Sequence, residues 1–298
     1  MSFEQFCLDN KIPFKKNEIM KNHTSFKIGG KADYFIECKT AECLKAAVCA
    51  ARDFGMPYFV LGKGSNLLVS DKGIRGVVIS LSSMDDIEVC GEQIDVGAGA
   101  SLARLCTVAM ENSLTGLEFA YGIPGSVGGA LYMNAGAYGG EVSQVVVSAT
   151  VLEQNGNIRE IALKDMHLGY RTSVFKTSGS IILSVKFALK LGEKKQIKAA
   201  MDDFMARRKD KQPLEYPSAG STFKRPEGYF AGALIEQNHL KGVSVGGAMV
   251  SEKHAGFVIN YDNATANDVK ELMKKVQNTI LENNGVELEP EVIFVGEE

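Results

Sequence analysis

Apolar positions recur at helical spacing in some stretches of this chain and crowd into short strand-like runs in others. Leu44, Ala47, Val48, Ala51 and Phe54 form one stripe, which predicts a helix over Thr40–Phe54 with Thr40 as N-cap and Gly55 as its stop. Val269, Leu272, Met273, Val276 and Ile280 form a second stripe over Thr265–Asn283, opened by a Thr265/Asp268 capping box and closed by Asn284-Gly285. Ser101–Asn112 reads as a helix capped by Ser101, and Glu193–Asp210 as a charged amphipathic helix. Tyr58–Leu61, Leu67–Val69, Val77–Ile79, Ile181–Leu189 and Val292–Val295 read as strands, and Ile87–Gly99 as short alternating strands. Val145–Leu152 and Ile158–Leu163 flank Asn155-Gly156, a hairpin signal. Residues 40–80 therefore predict an α/β unit and residues 81–190 a mixed α+β one. Pro213 and Pro217 break the chain before a further unit, where residues 218–260 hold short strands. Thr115–Gly140 shows no clean period.

Composition narrows the class. The 298 residues are 45% apolar and 23% charged, with a net charge of −3, which fits a soluble globular protein of two or three domains. That charge argues against a nucleic-acid or membrane partner held by bulk electrostatics. No apolar run is long enough to span a membrane, and Met1–Lys21 has no signal-peptide core, so a cytoplasmic protein is expected. The six cysteines include no Cys-x-x-Cys pair and are expected as reduced, mostly buried thiols. The four histidines form no His-x-x-x-His pair, so no metal site is expected.

Glycine changes the picture most. Sixteen of the 31 glycines fall between Gly55 and Gly140, where an even spread would put about nine. Gly62-Lys63-Gly64-Ser65-Asn66 lies between two apolar runs, with glycines free to bend around an anion and Ser65 and Asn66 as donors. It is no P-loop, since Pro57 stands where that motif needs its first glycine. No Gly-x-Gly-x-x-Gly opens a helix, so a dinucleotide would not bind by the Rossmann route. Alone, the loop reads equally well as a strand-to-strand turn. The second segment is Tyr121-Gly122-Ile123-Pro124-Gly125-Ser126-Val127-Gly128-Gly129-Ala130, followed by Asn134-Ala135-Gly136. Its interleaved apolar residues suggest an ordered loop whose backbone N–H groups wrap a phosphate-bearing ligand. Three further pieces are each unremarkable alone: Tyr170-Arg171, Ala219–Pro226 with Ser221 before Lys224 and Arg225, and Leu288-Glu289-Pro290-Glu291-Val292.

In this order, these segments resemble the UDP-N-acetylenolpyruvoylglucosamine reductase family. The resemblance runs from Asn22-His23-Thr24-Ser25-Phe26-Lys27-Ile28-Gly29-Gly30 to Glu291, with specific pieces also at Tyr170–Lys176 and Gly246–Gly256. It implies an α+β chain with a vanillyl-alcohol-oxidase/PCMH-type FAD-binding fold of two subdomains, plus a separate α/β substrate-binding domain. The expected division is 1–82 for FAD subdomain 1, completed by the C-terminal strand 292–298, then 83–192 for subdomain 2 and 193–291 for the UDP-sugar. No insertion follows Tyr170–Lys176, as in the shorter, type II form. One departure is His239, where glycine or a small residue is expected, which puts the local turn in doubt.

The resemblance also implies the chemistry. FAD, held without covalent attachment, and NADPH would reduce UDP-N-acetylglucosamine enolpyruvate to UDP-N-acetylmuramate, in a protein expected as a monomer. FAD would lie against Gly62, Lys63, Gly64, Ser65 and Asn66, and against Ile123, Pro124, Gly125, Ser126, Gly128, Gly129 and Asn134. Arg171 suits the developing enolate and its carboxylate, Ser221 is the expected proton donor to C2, and Glu291 is preferred over Glu289 as the third catalytic group. Glu291 helps if burial keeps it protonated or if it orients another donor. Tyr170, Lys224 and Arg225 are expected on the substrate, the two cations at its diphosphate. Two other readings stay open at this stage: another FAD-linked dehydrogenase or oxidase of the same superfamily, and a non-catalytic UDP-sugar-binding protein.

Overall fold

In the computed structural model, which describes residues 1–297, the helix expected after Thr40 forms over Ala41–Asp53. The Thr40 hydroxyl accepts from Cys43 N (3.2 Å), and Gly55 leaves the helix at φ +64°. The chain divides into two units. The first comprises Met1–Lys15, Phe35–Lys63 and Gly76–Arg208. Here Tyr58–Leu61 runs parallel to Ile74–Ser80, with Tyr58 opposite Val77 and Leu61 opposite Ser80. Ile74–Ser80 is buried at almost every position, as an apolar run without alternation requires. The N-terminal helix Phe3–Asp9 sets Phe3 edge-on to Phe54, with ring centroids 5.9 Å apart.

The larger sheet of this unit is antiparallel throughout, in the order Ile158–Ala162, Val146–Leu152, Ile181–Ala188, Gln93–Gly97, Ile87–Cys90. Its outer hairpin closes at the expected Asn155-Gly156, where Asn157 N donates to Asn155 Oδ1 (2.8 Å) and Gly156 sits at φ +83°. Helix Leu102–Glu111 begins at the expected cap, Ser101.

The stretch Thr115–Gly140 contains an element that its sequence hides, the helix Val127–Tyr132. Six residues, two of them glycine, are too few to show a period. Burial of Val127, Ala130 and Leu131, with Ser126 as cap, supplies what helix propensity does not. The cysteines also depart from expectation in part: Cys7, Cys38 and Cys106 are buried, but Cys49 and Cys90 are exposed. Cys49 lies off the apolar stripe of its helix, and Cys90 ends a strand that is mostly exposed.

The second unit comprises Lys16–Tyr34, Gly64–Arg75 and Lys209–Glu298. Its core gathers Phe26, Ile28 and Leu68 from the first third of the chain with Leu234, Ile235, Val269, Leu272, Met273, Val276 and Ile280 from the last. Helix Ala266–Asn284 has the expected capping box and ends at Gly285, φ +67°. Strand Ile293–Val295 pairs in parallel with Leu67–Val69, with Ile293 opposite Leu67. His239 follows helix Ala231–Gln237 at φ +55°, the left-handed position that favours glycine, which explains why a small residue is expected there. The turn forms nonetheless, with Leu240 N donating to Ile235 O (3.2 Å). Among the described residues, no helix is long and apolar enough to cross a membrane.

Candidate functional site

The first glycine segment starts where Leu61 leaves its sheet. The N–H groups of residues 62–66 donate no backbone hydrogen bond among the described residues. A run of unsatisfied amides in a half-buried loop calls for an outside acceptor. Gly62 faces Ser126, so that an added Cβ would strike Ser126 Oγ. Gly64 sits at φ +61° against the His23 carbonyl and is buried, which leaves room for no side chain.

The second glycine segment is pinned before it becomes helical. Leu102 N donates to Gly125 O (3.2 Å), Val127 N to Ala100 O (2.9 Å) and Gly128 N to Ala98 O (2.9 Å). Those bonds narrow which amides of this loop are left for a ligand. Val127 and Gly128 are already satisfied, and Gly129 N donates to Ser126 Oγ (3.3 Å). Gly122, Gly125 and Ser126 donate no backbone bond among the described residues, and Gly129 N reaches a side chain instead. Ile123 is half-buried and Pro124 exposed. Gly62 and Ser126 thus bring the two segments together within the first unit, where the amides of residues 62, 63, 125 and 126 fit a phosphate-bearing cofactor such as FAD.

Tyr170 and Arg171 occupy the tip of a tight turn in the same unit. Gly169 and Thr172 exchange backbone bonds of 3.1 and 3.2 Å, and Arg171 adopts φ +53°. The Arg171 guanidinium lies 5.6 Å from the ring centroid of Tyr170, which is 57% exposed. Asn134 is 3% exposed, and its carboxamide is engaged at both ends: Nδ2 donates to Gly169 O (3.2 Å) and Oδ1 accepts from Ser143 N (2.9 Å).

Ser221, Lys224, Arg225 and Glu291 belong to the second unit. Ser221 follows Gly220, φ +78°, and is exposed. The residues after it thread between two backbone edges. Thr222 N donates to Gly256 O (2.8 Å) and Thr222 O accepts from Glu291 N (2.9 Å), while Lys224 N donates to Glu289 O (2.8 Å). The buried Thr222 hydroxyl accepts from Val258 N (2.9 Å). Ser221 and Glu291 therefore lie on adjacent extended segments. The Lys224 ammonium is paired with the Glu289 carboxylate, and the Glu291 main chain is bonded to Thr222. The Arg225 guanidinium stacks 4.6 Å from the Phe230 ring centroid.

Asn66 reaches the same place, its Nδ2 donating to Glu291 O (3.1 Å) and its carbonyl accepting from Ile293 N (3.0 Å). Ser25, passed over in the sequence reading, donates from Oγ to Ser218 O (2.7 Å) and from N to Gly64 O (3.2 Å). It ties the start of the serine segment to the glycine loop. Its membership of the Asn22–Gly30 motif was the available signal. His254 is a further such residue, and its signal was its place in the Gly246–Gly256 piece. Its Nδ1 accepts from Gly256 N (3.1 Å), the residue whose carbonyl holds Thr222. Because Gly256 N donates, Nδ1 carries no proton, and burial shifts this histidine below its ordinary pKa. Among the described residues, no group of three or more His, Cys, Asp or Glu is arranged to hold a metal ion.

Comparison with known proteins adds a family to this geometry. Residues 212–295 match the domain described as UDP-N-acetylenolpyruvoylglucosamine reductase, C-terminal domain, and residues 32–162 match an FAD binding domain. The UDP-N-acetylenolpyruvoylglucosamine reductase of Clostridium novyi is 50% identical over 289 residues, covering 97% of this chain and 94% of its own. The crystal structure of the corresponding reductase from Thermus caldophilus superposes with a TM-score of 0.81 at 35% identity, over 95% of this chain and 98% of that one. A berberine bridge enzyme variant, at 16% identity, matches 65% of this chain with a TM-score of 0.50 and shares the fold alone. The α+β flavin fold of the vanillyl-alcohol-oxidase/PCMH type is thus the fold observed.

Proposed function

The chain belongs to the UDP-N-acetylenolpyruvoylglucosamine reductase family, and from that premise we propose which of its residues carry the reaction. It is an FAD-dependent oxidoreductase that uses NADPH to reduce UDP-N-acetylglucosamine enolpyruvate in bacterial peptidoglycan synthesis. The proposal concerns the groups that bind, stabilise and protonate.

The amides of residues 62, 63, 125 and 126 hold the FAD phosphates, with Gly62 and Gly128 letting Ser126 and Ala98 approach closely. Bound flavin, once reduced by NADPH, would supply the hydride that adds to C3 of the enolpyruvyl group. Negative charge then grows at C2 and spreads onto the adjacent carboxylate. Arg171 meets that charge, because guanidinium is a permanent cation with two parallel donors for a carboxylate. Ser221 gives its hydroxyl proton to C2. A hydroxyl is a weak acid, but a carbon with enolate character is a strong base, and cations at Lys224 and Arg225 ease loss of the proton. Glu291 orients the donor beside it, and Tyr170, Lys224 and Arg225 engage the UDP-sugar. The observation that carries this assignment is the backbone ladder that sets Ser221 and Glu291 on neighbouring segments, with Asn66 bonded to the main chain of Glu291.

By ligand, we assign residues 1–82 and 83–192 to FAD, with 292–298 completing the first, and 193–291 to the UDP-sugar. We place the reaction in the cytoplasm and on a monomer, which light scattering of the flavin-loaded protein checks. The decisive experiment follows the flavin itself. The purified protein should be yellow, bleach with NADPH under anaerobic conditions, and recolour on addition of the enolpyruvyl UDP-sugar. A colourless protein that takes up no FAD, or a bleached one that the UDP-sugar fails to recolour, would overturn the reading.

A further inference from the structure

Asn134 sits where a flavin contact is expected, yet its side chain points its bonding capacity elsewhere. Its carboxamide bridges two backbone groups of opposite kind. Ser143 N can only donate and Gly169 O can only accept, so the amide orientation is set without ambiguity. Its own N–H is bonded to Leu131 O (3.1 Å), and its backbone stands at φ +42°, which asparagine tolerates better than most residues. The group it holds, Gly169, is one of the two residues that close the turn bearing Arg171. A second tie comes from the far side of that turn: the buried Ser173 donates from Oγ to Tyr132 O (2.7 Å). Tyr132 and Asn134, at the end of the glycine-rich segment, thus clamp Gly169 and Ser173 on either side of Arg171.

Arg171 needs such a clamp. A bulky residue at φ +53° is strained, and strain of this kind persists only where the surroundings over-determine it. The Gly169–Thr172 bonds are local and would form in any similar turn. The Asn134 and Ser173 bonds fix where the turn stands against the rest of its unit. We propose that Asn134 is a positioning residue, whose buried carboxamide holds the turn that presents Arg171 to the substrate, with Ser173 as its partner. This rests on the reading that Arg171 stabilises the developing enolate. Aspartate cannot replace the asparagine, because a carboxylate has no hydrogen for the Gly169 carbonyl and repels it.

Asn134→Asp tests the inference in the flavin-loaded protein. Bleaching by NADPH should stay within about twofold of wild type, and recolouring by the enolpyruvyl UDP-sugar should slow about tenfold or more, since small misplacements of a catalytic group are costly. Adding Asn134→Asp to Arg171→Lys should slow recolouring far less than it does alone, because the two changes remove one function. Ser173→Ala cuts the second tie without adding charge, so it should reproduce the split and decides the matter if Asn134→Asp does not fold. Loss of flavin on purification, or a wild-type recolouring rate in both variants, would overturn the positioning role. Failure of the wild-type protein itself to recolour would instead sink the proposed function.

Discussion

The Arg171 turn and the Ser221 segment both follow backbone in the left-handed region, at Arg171 itself and at Gly220, but they are secured in different ways. Ser221 is carried by main-chain bonds. Thr222 is fixed on both sides by Gly256 and Glu291, and Lys224 by Glu289, so the segment behaves as an extra strand. The Arg171 turn draws on side chains as well: besides the Gly169–Thr172 and Val174–Met166 main-chain bonds, it is tied by the Asn134 carboxamide and the Ser173 hydroxyl. The glycine suits a segment held by its neighbours' backbones, whereas the arginine is forced into a costly conformation that specific polar groups maintain. Substitutions near Arg171 should therefore reach the rate first, and substitutions under Ser221 should reach stability first.

The largest expected effect tests whether the serine segment carries chemistry at all. Ser221→Ala should keep bleaching by NADPH and lose turnover of the enolpyruvyl substrate by about 10²–10⁴-fold, the usual weight of a positioned proton donor. Turnover near wild type would move the donor elsewhere. Next comes Thr222→Val, which leaves the buried Val258 N–H without its acceptor. A loss of about 1–3 kcal/mol is expected, read as a lower urea midpoint, with flavin half-reactions little changed. If Thr222→Val instead slowed recolouring with no loss of stability, the contrast between the two segments would fail.

The smallest effect is one of pH. His254 accepts from Gly256 N only while Nδ1 is unprotonated. Burial lowers its pKa in the folded protein, so the unfolded chain takes up the proton first as pH falls. The stability it contributes is complete above about pH 6.5 and is lost as pH drops through the lower folded value. Melting curves between about pH 7.5 and 5.5 should show this loss, worth about one hydrogen bond or 0.5–1.5 kcal/mol. His254→Gln should flatten it. An unchanged slope in that variant would show that other groups dominate the acid limb.

Most of what repeats locally was legible in the sequence. The stripes after Thr40 and Thr265, the cap at Ser101 and the hairpin at Asn155-Gly156 reflect short-range rules of spacing, capping and turn geometry. Helix Val127–Tyr132 was not legible, because two glycines and six residues carry no period and its formation depends on burial by other parts of the chain. The same holds for Ala231–Gln237, hidden in a stretch that reads as short strands.

The site divides along the same line. The residue types were present from the start: a guanidinium, a serine after glycine, a glutamate ahead of the last strand, and two glycine-rich segments. Their order along the chain also pointed to the family. Tertiary structure alone decided that Asn66 bonds the main chain of Glu291, that Ser25 ties Gly64 to Ser218, and that Asn134 serves the Arg171 turn. It also joined Leu67–Val69 to Ile293–Val295 and gathered residues 16–34 and 64–75 with the last third of the chain. Sequence periodicity records which face of an element is apolar. It does not record which distant element covers that face, since hydrophobic burial is non-directional and many partners satisfy it equally until the whole chain has packed.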